Sequence, residues 1–224
     1  MTQQKWTAVD EYIAAMLAPS DGALEAALEA SAVAGLPPHN VSPVQGKLLH
    51  LLARAMGART ILEIGTLGAY STIWLARALP DDGRLVTLER EPKHAQVALR
   101  NIARAGLDAV VELRIGAAVE SLPRLAAEWK EPFDLVFIDA DKPSNPTYFS
   151  WALELSRVGS LIIVDNVVRN GAVLDSESAD PSVVGVRRLN EMIAAERRVS
   201  ATALQTVGSK GYDGFVLALV TADA

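Results

Sequence analysis

The stretch ILEIGTLGAYS, residues 61–71, is the clearest indication of the fold in this sequence. It opens as an apolar run, continues through a short loop that contains Gly65 and Gly68, and then enters a segment with helical spacing. A strand that passes through a glycine loop into a helix has this pattern. Further apolar runs alternate with helical segments along the chain, and such strands form parallel sheets that are covered on both faces. The sequence therefore predicts an α/β fold.

The alternating region contains five strand candidates. The predicted strands are Thr60–Ile64, Leu85–Glu89, Val110–Arg114, Phe133–Ile138 and Ser160–Val164. The predicted helices between them are near Ser71–Leu79, Pro92–Ala105, Val119–Glu128 and Pro146–Leu155. After a helix at about Val183–Ala195, the runs Val199–Val207 and Phe215–Val220 flank the turn-rich GSKGYDG and should pair as antiparallel strands. We expect a Rossmann-like, doubly wound, mostly parallel seven-stranded sheet with an antiparallel C-terminal strand and N-terminal helices.

The first part of the chain is predicted to be helical. Val9–Leu17 and Leu24–Val33 space their apolar residues at intervals of three and four. Ser42 can cap free backbone N–H groups, and the proline that follows it tolerates the first helical position. The spacing predicts a third helix over Pro43–Met56, which ends at Gly57.

Composition is typical of one well-buried domain. The chain has 224 residues, of which 50% are hydrophobic and 21% are charged. We expect a single domain over residues 1–224, in which residues 1–40 form a helical extension on a core of residues 41–224. The formal charge of −6 argues against a nucleic-acid partner, because proteins that grip phosphates over a broad face carry a basic surface.

Cysteine content and hydropathy indicate where the chain would function. No cysteine is present, which removes disulfides, zinc-thiolate sites and thiol nucleophiles from consideration. The N-terminus lacks a basic start followed by an apolar core, and no apolar run reaches about 18 residues. We expect a cytoplasmic protein without a membrane partner.

Ligands of an open parallel sheet bind outside the carboxyl ends of the strands. The loop with Gly65 and Gly68 lies at such an end, but Leu67 occupies the second glycine position of a G-x-G-x-x-G fingerprint, where its side chain would crowd a pyrophosphate. The loop therefore suits a nucleoside better than a dinucleotide. Glu89 ends the second predicted strand, where an acid can accept hydrogen bonds from ribose hydroxyls. The structural alternative is that both glycines only form turns and that Glu89 is solvated.

Oxygen donors follow the next two predicted strands. Asp139 follows FDLVFI, and Asp165 and Asn166 follow LIIV. If these strands are adjacent, two carboxylates and an amide oxygen come together, which is the ligand type preferred by magnesium or calcium. A bound divalent ion would also relieve the repulsion between two buried acids. The alternative is that both aspartates begin loops or cap helices.

The motifs ILEIGTLGAYST, FDLVFIDADK and LIIVDNVVRNGAV, together with Glu89, resemble the class I S-adenosylmethionine-dependent methyltransferases. More closely, the chain is similar to the metal-dependent O-methyltransferases of the catechol and caffeoyl-CoA type, from about Asn40 to the C-terminus. The resemblance implies methyl transfer from S-adenosylmethionine to a hydroxyl of a small, catechol-like phenolic acceptor, within a catalytic core of residues 41–224. It also implies that the N-terminal helical segment packs over the active site and contributes to a homodimer.

The resemblance implies specific roles at matching positions. Glu63 and Gly65 would hold the methionine part of the cofactor, Glu89 both ribose hydroxyls, and Ala118 the adenine ring. The full set of implied cofactor-binding residues is Val41, Glu63, Gly65, Ser71, Glu89, Ala118 and Asp139.

The resemblance also implies a metal site and a base. Asp139, Asp165 and Asn166 match the metal ligands, with magnesium as the expected ion and manganese or calcium as alternatives. Lys142 matches the proposed general base. These roles agree with the chemistry, because methyl transfer is an in-line displacement that needs an aligned and activated oxygen, and a divalent ion lowers the pKa of a hydroxyl bound to it.

Several features leave the acceptor open. Arg169 stands where plant caffeoyl-CoA relatives often carry an aromatic residue, and Pro37, Pro38 and His39 occupy the region of the aromatic gatekeeper of the animal catechol enzyme. The role of Asp141 is open between a supporting residue of the metal site and a cofactor-side residue, and His39 is only a substrate-side candidate.

Other side chains are assigned to the framework. His50 and His94 are interpreted as helix-surface residues, and Tyr148, Phe149 and Trp151 as core. Two other function classes remain as alternatives, namely a nicotinamide-dependent oxidoreductase and a noncatalytic binding protein on a methyltransferase fold.

Overall fold

The computed structural model describes residues 2–223, and within them seven strands form one sheet in the order β3-β2-β1-β4-β5-β7-β6. The strands are β1 Thr60–Ile64, β2 Arg84–Glu89, β3 Val111–Ile115, β4 Phe133–Ile138, β5 Ser156–Asp165, β6 Val199–Gly208 and β7 Gly211–Val220. β1 to β5 are parallel, whereas β7 runs antiparallel to both β5 and β6. The predicted mostly parallel sheet with an antiparallel C-terminal strand is confirmed.

Eight α-helices lie within the described residues. They are α1 Gln3–Leu17, α2 Gly22–Val33, α3 Pro43–Ala55, α4 Tyr70–Ala76, α5 Pro92–Arg104, α6 Ala118–Glu128, α7 Asn145–Glu154 and α8 Pro181–Ala195. Lys142–Ser144 is a short 3₁₀ segment, and Arg169–Leu174 is a 3₁₀ segment interrupted by non-helical backbone at Asn170 and Gly171. The Ser42 hydroxyl accepts a hydrogen bond from the Gln45 amide at 3.2 Å, so α3 begins at the predicted cap. No helix in this part of the chain is long and apolar enough to cross a membrane.

The central strands of the sheet are buried on both faces. Leu62 and Ile64 of β1 contribute to a cluster that also contains side chains of α6, α7 and α8, whereas Ile61 contributes to a second cluster with α3, α4 and α5. Every residue of β1 and of β4 is buried. Apolar residues at consecutive positions are therefore needed in these strands, which explains why both read as continuous apolar runs.

The strand order places a crevice between β1 and β4. β1 pairs with β2 on one side and with β4 on the other, so the chain winds outward to β3 and then returns past β1 to continue in the opposite direction. At such a reversal the connections at the carboxyl ends of the strands diverge and leave space for a ligand.

β1 and β4 match their predicted bounds, β2, β3 and β6 differ from theirs by one residue, and β5 and β7 each begin four residues before the predicted start. β5 begins at Ser156, four residues before the predicted start, because its exposed first residues are held by pairing with Phe133 across an irregular register. The predicted third strand is displaced by one residue, and the strand is only partly buried along its length. Neither the exposed start of β5 nor the partial burial of β3 produces a continuous apolar pattern in the sequence.

Gly65 ends the first strand at a position that admits no side chain. Its φ is +104°, and a Cβ atom there would lie 2.3 Å from the backbone oxygen of Asp139. Gly65 thus allows the loop after β1 to pack against the chain after β4. Gly68 has a similar role, because a Cβ at that position would lie 2.0 Å from the hydroxyl oxygen of Ser31 on α2. Protein packing alone explains both glycines, independently of any ligand.

We expect Gly65→Ala to lower the free energy of unfolding by about 2–4 kcal/mol, because an unfavourable φ adds to a backbone clash. Denaturant unfolding would measure the loss. Gly57→Ala is the matched control, since Gly57 also has a positive φ (+67°) but has no atom within 4 Å of the added Cβ. We expect its loss to be about 1 kcal/mol. Equal losses in the two variants would show that the contact with Asp139 is unimportant.

Candidate active site

A cavity of about 860 Å³ opens at the carboxyl ends of the strands. Its walls come from the loops after β1 to β5, from residues 36–41 before α3, and from the turn that leads into β7. The residues from the sequence-predicted set that line it are Val41, Gly65, Ser71, Glu89, Ala118, Asp139, Lys142, Asp165 and Asn166. Glu63 is the one member of the set that does not reach the cavity wall.

Glu63 lies beneath the loop after β1. It is fully buried, and its carboxylate accepts hydrogen bonds from the hydroxyls of Ser71 (2.6 Å), Thr72 (2.5 Å) and Thr87 (2.7 Å). Burial raises the pKa of Glu63 to about 7, although the three hydroxyls oppose that shift. Glu63 therefore acts on the cavity through Ser71, which it orients at the start of α4. The hydroxyl partners at positions 72 and 87 were not anticipated from the sequence.

Glu89 is fixed at the end of β2 by backbone amides. Its Oε2 accepts a hydrogen bond from Leu67 N at 2.7 Å and its Oε1 accepts one from Glu91 N at 2.8 Å. Leu67 adopts a left-handed φ of +51°, so the residue that replaces the second fingerprint glycine turns its amide toward the carboxylate. Each carboxylate oxygen still has acceptor capacity for a ligand hydroxyl.

His94 was predicted to be a helix-surface residue, and that interpretation is incomplete. The imidazole lines the cavity, and Nδ1 lies 3.5 Å from Oε1 of Glu89. The sequence feature that could have indicated a cavity position for His94 is its place in the first turn of α5, soon after the end of β2. Position along the chain alone, however, does not say which side of a helix faces a cavity.

Asp139, Asp165 and Asn166 meet because β4 and β5 are neighbours. Asp165 is 5% exposed, and its carboxylate accepts hydrogen bonds from Gln45 Nε2 at 2.7 Å and from Asn166 N at 2.8 Å. Burial, and next the negative charge of Asp139, raise the pKa of Asp165 to about 7. The Lys142 ammonium donates to Oδ1 of Asp139 at 2.9 Å and is itself buried.

These side chains fit a hard divalent cation. Two carboxylates and an amide supply oxygen donors, and burial together with the charge of Asp139 disfavours the ionised form of Asp165, a cost that a bound cation would offset. No group of three His, Asp or Glu residues suited to a metal occurs within residues 2–223. A metal site here would therefore need the Asn166 oxygen as a third protein ligand.

Asp141, whose role was open, pairs with α7. Its carboxylate accepts a hydrogen bond from the Tyr148 hydroxyl at 2.5 Å. Burial and this carboxylate raise the pKa of Tyr148. Tyr148 was predicted to be a core residue; it is buried, but it also lines the cavity. Asp141 and Tyr148 therefore connect the loop after β4 to the helix that follows it.

The cavity wall also includes His39, the substrate-side candidate, and two cationic side chains to which no role was assigned from the sequence. His39, Arg169 and Lys210 all contribute to the wall, and Lys210 Nζ donates to the carbonyl oxygen of Pro38 at 3.0 Å. Lys210 lies in the turn before β7, and Gln45, which contacts Asp165, lies on α3. These contacts join segments that are far apart in the sequence.

Comparisons with known proteins give one consistent result. The pattern of a family described as O-methyltransferase matches residues 17–220. The chain is 55% identical over 220 residues to catechol O-methyltransferase from Niastella koreensis, covering 98% of this chain and all of the relative. It is 53% identical over 212 residues to catechol O-methyltransferase from Mycobacterium tuberculosis, covering 95% and 94%.

Solved structures agree with these relatives. An O-methyltransferase from Bacillus cereus in complex with SAH superposes with a TM-score of 0.97 at 60% identity, covering 98% of this chain and 100% of that one. The O-methyltransferase TomG from Streptomyces achromogenes in complex with SAM superposes with a TM-score of 0.96 at 54% identity, covering 99% and 100%. The resemblance in the sequence motifs thus extends over nearly the whole chain.

Proposed function

The chain belongs to the O-methyltransferase family and is an S-adenosylmethionine-dependent enzyme, and from this premise we propose that a divalent cation supports methyl transfer to a hydroxyl of a catechol-like acceptor. The premise excludes the nicotinamide-dependent and noncatalytic alternatives. The catechol O-methyltransferase names of the two relatives support the acceptor class.

One observation carries the proposal. Asp139, Asp165 and Asn166 lie together at the ends of β4 and β5, and the buried Lys142 contacts this group. When bound there, a cation such as Mg²⁺, or Mn²⁺ or Ca²⁺, supplies positive charge that lowers the pKa of a coordinated hydroxyl. An acceptor with one hydroxyl would offer one oxygen to such a site. An acceptor with vicinal hydroxyls would offer two oxygens, which would also fix the direction of its ring.

The surrounding residues would hold and position the reactants. Gln45 donates to Asp165 and fixes the direction of its carboxylate. Lys142 Nζ, in its uncharged form, would take the proton of the acceptor hydroxyl, which makes it the proposed general base. Lys142 is close enough to the proposed metal ligand Asp139 for the base and the cation to act on the same acceptor oxygen.

A second group of residues would hold S-adenosylmethionine. Glu89 presents acceptor oxygens for ribose hydroxyls, Ala118 offers an apolar wall at the start of α6, and Val41 and Gly65 line the cavity near α3 and β1. Ser71 lines the same wall and is oriented by Glu63. Asp139 belongs to both groups, because it lies beside the Gly65 backbone.

Assembly and location complete the proposal. The chain acts as a single cytoplasmic domain and forms a homodimer. Tyr12, Met16 and Leu17 of α1 are each about two-thirds exposed, α1 buries none of its own residues, and the edge strand β6 is exposed along most of its length. A second copy of the chain would cover these apolar side chains.

The acceptor class is tested by transfer of a labelled methyl group from S-adenosylmethionine in the presence of magnesium. We expect kcat/KM for vicinal dihydroxy aromatics to exceed that for matched aromatics with one hydroxyl by about 100-fold or more, because only the former offer two oxygens to a metal. Calorimetry with SAH confirms that the cofactor site is intact. Binding of SAH without transfer to any vicinal dihydroxy aromatic would refute the proposed acceptor class.

A further inference from the structure

Arg169 is a cationic side chain on the cavity wall that forms no salt bridge with any acidic residue in the described part of the chain. Its Nε atom is buried, and no hydrogen-bond acceptor within residues 2–223 reaches it. Two other cations of the wall are neutralised: Arg90 pairs with Glu91 at 3.1 Å, and Lys142 pairs with Asp139. A buried donor without an acceptor is unfavourable, and the half-buried guanidinium as a whole forms no hydrogen bond or salt bridge within residues 2–223, so its accessible N–H groups can bind a ligand.

The backbone of Arg169 is held in one conformation. Oδ1 of Asp213 on β7 accepts hydrogen bonds from the amides of Val168 and Arg169 at 2.9 and 3.0 Å. Arg169 and Asn170 both have left-handed φ angles, of +57° and +54°. Asn adopts this conformation readily, but for arginine it is unfavourable unless surrounding contacts support it, and such positions concentrate at ligand sites. The base of the Arg169 side chain is therefore fixed before any ligand binds.

Lys210 adds a second cation to the same part of the cavity. Its ammonium donates to the carbonyl of Pro38, and it forms no salt bridge with any residue in the described range. β7 runs antiparallel to β5, so the turn before β7 lies at the sheet edge where β5 ends. Two cations without carboxylate partners thus border this end of the cavity.

The strand order separates these cations from the proposed cofactor contacts at the ends of β1, β2 and β3. Gly65, Glu89 and Ala118 lie at or after the ends of β1, β2 and β3, and the proposed metal ligands lie at or after the ends of β4 and β5. Arg169 and Lys210 border β5 and β7 on the far side of those ligands. A substituent that extends from an acceptor at the proposed metal site, away from the cofactor, would meet these two residues.

We propose that Arg169, assisted by Lys210, binds a carboxylate carried by the acceptor, so that the preferred acceptors are vicinal dihydroxy aromatic acids. This inference rests on the proposed function. A guanidinium presents parallel N–H donors that match the two oxygens of a carboxylate, and hydrogen bonds between ionised groups are stronger than those between neutral groups. A neutral acceptor would leave Arg169 without a partner.

The test compares acids with their primary amides, which keep the ring and the substituent length but lack the charge. Suitable acceptors are dihydroxybenzoate and dihydroxyphenylacetate with vicinal hydroxyls. We expect the wild-type protein to prefer each acid in kcat/KM, and Arg169→Gln to lower the acid-to-amide ratio by about 10- to 100-fold. Arg188→Gln is the control: Arg188 is an exposed arginine of α8 that does not line the cavity, and its variant should keep the wild-type ratio.

A charge-reversal variant distinguishes a lost carboxylate contact from poor folding of the protein. Arg169→Glu should shift the preference toward a catechol that carries an ammonium group, a gain that general damage would not produce. An unchanged acid-to-amide ratio in Arg169→Gln would overturn the inference while leaving the proposed function intact.

Binding measurements test the proposed carboxylate contact independently of methyl transfer. Calorimetry in the presence of magnesium and SAH should show tighter binding of the acid than of the amide to the wild type, and this difference should be lost in Arg169→Gln. Equal binding of both ligands to the wild type would overturn the inference, whether or not methyl transfer occurs. So would weaker SAH binding by Arg169→Gln, because Arg169 would then belong to the cofactor site.

Discussion

Replacing Asp165 with alanine is expected to lower metal-supported methyl transfer by about 10³-fold while SAH affinity changes less than about threefold. Asp165 lies in the group proposed to hold the cation, at the end of β5, and is not one of the proposed cofactor contacts, most of which lie at or after the ends of β1, β2 and β3. The loss should therefore fall on activation of the acceptor. Labelled methyl transfer would measure turnover, and calorimetry would measure SAH affinity.

Two further variants make this result specific. Asp165→Asn keeps the shape of the side chain and an acceptor oxygen for the Asn166 amide, yet it removes the charge, so it should also be inactive. Asp81→Ala removes an exposed aspartate between α4 and β2 and should retain wild-type turnover. An Asp165→Ala protein with normal turnover and an unchanged magnesium requirement would show that Asp165 is not a metal ligand.

Replacing Lys142 with methionine is expected to lower kcat by about 10²- to 10⁴-fold, the range for loss of a positioned general base. Lys142 is buried beside the proposed metal ligands, and methionine has a similar length without a titratable nitrogen. Single-turnover kinetics with a saturating vicinal dihydroxy acceptor would separate the chemical step from binding.

A role as a base must be distinguished from a role as the ionic partner of Asp139. Lys142→Arg keeps a cation beside Asp139 but cannot accept a proton, because arginine stays charged in proteins. If Lys142 is the base, the arginine variant should be nearly as slow as the methionine variant. Recovery of kcat to within about fivefold of wild type in Lys142→Arg would instead assign Lys142 an electrostatic role.

Fold prediction succeeded where burial on both faces leaves a continuous apolar run. β1 and β4 were predicted to the residue for this reason, and their ends also locate the chemistry, because parallel strands bring their carboxyl ends to one edge. Asp139, Asp165 and Asn166 could be grouped once β4 and β5 were taken as neighbours. β5 was predicted too short because its exposed N-terminal residues depend on pairing rather than on hydropathy.

Contacts between distant segments could not be predicted in this way. Gln45 and Asp165 are 120 residues apart, and only the packing of α3 over the sheet edge brings them together. The same limit applies to Lys210, which contacts the carbonyl of Pro38, and to Glu63, whose burial beneath Ser71 separates it from the cavity. Which face of α5 carries His94 also depends on tertiary packing. Strand ends therefore locate a site from sequence, whereas its supporting contacts require the folded chain.

The central claim is that a divalent cation bound by Asp139, Asp165 and Asn166 is required for methyl transfer to vicinal hydroxyls. The most direct measurement is the initial rate of labelled methyl transfer by chelator-treated protein, before and after magnesium is restored. We expect the stripped protein to be slower by about 100-fold or more and restored magnesium to recover the rate, because without the cation the hydroxyl is neither acidified nor oriented. Equal rates in the presence of EDTA and in the presence of magnesium would contradict the account.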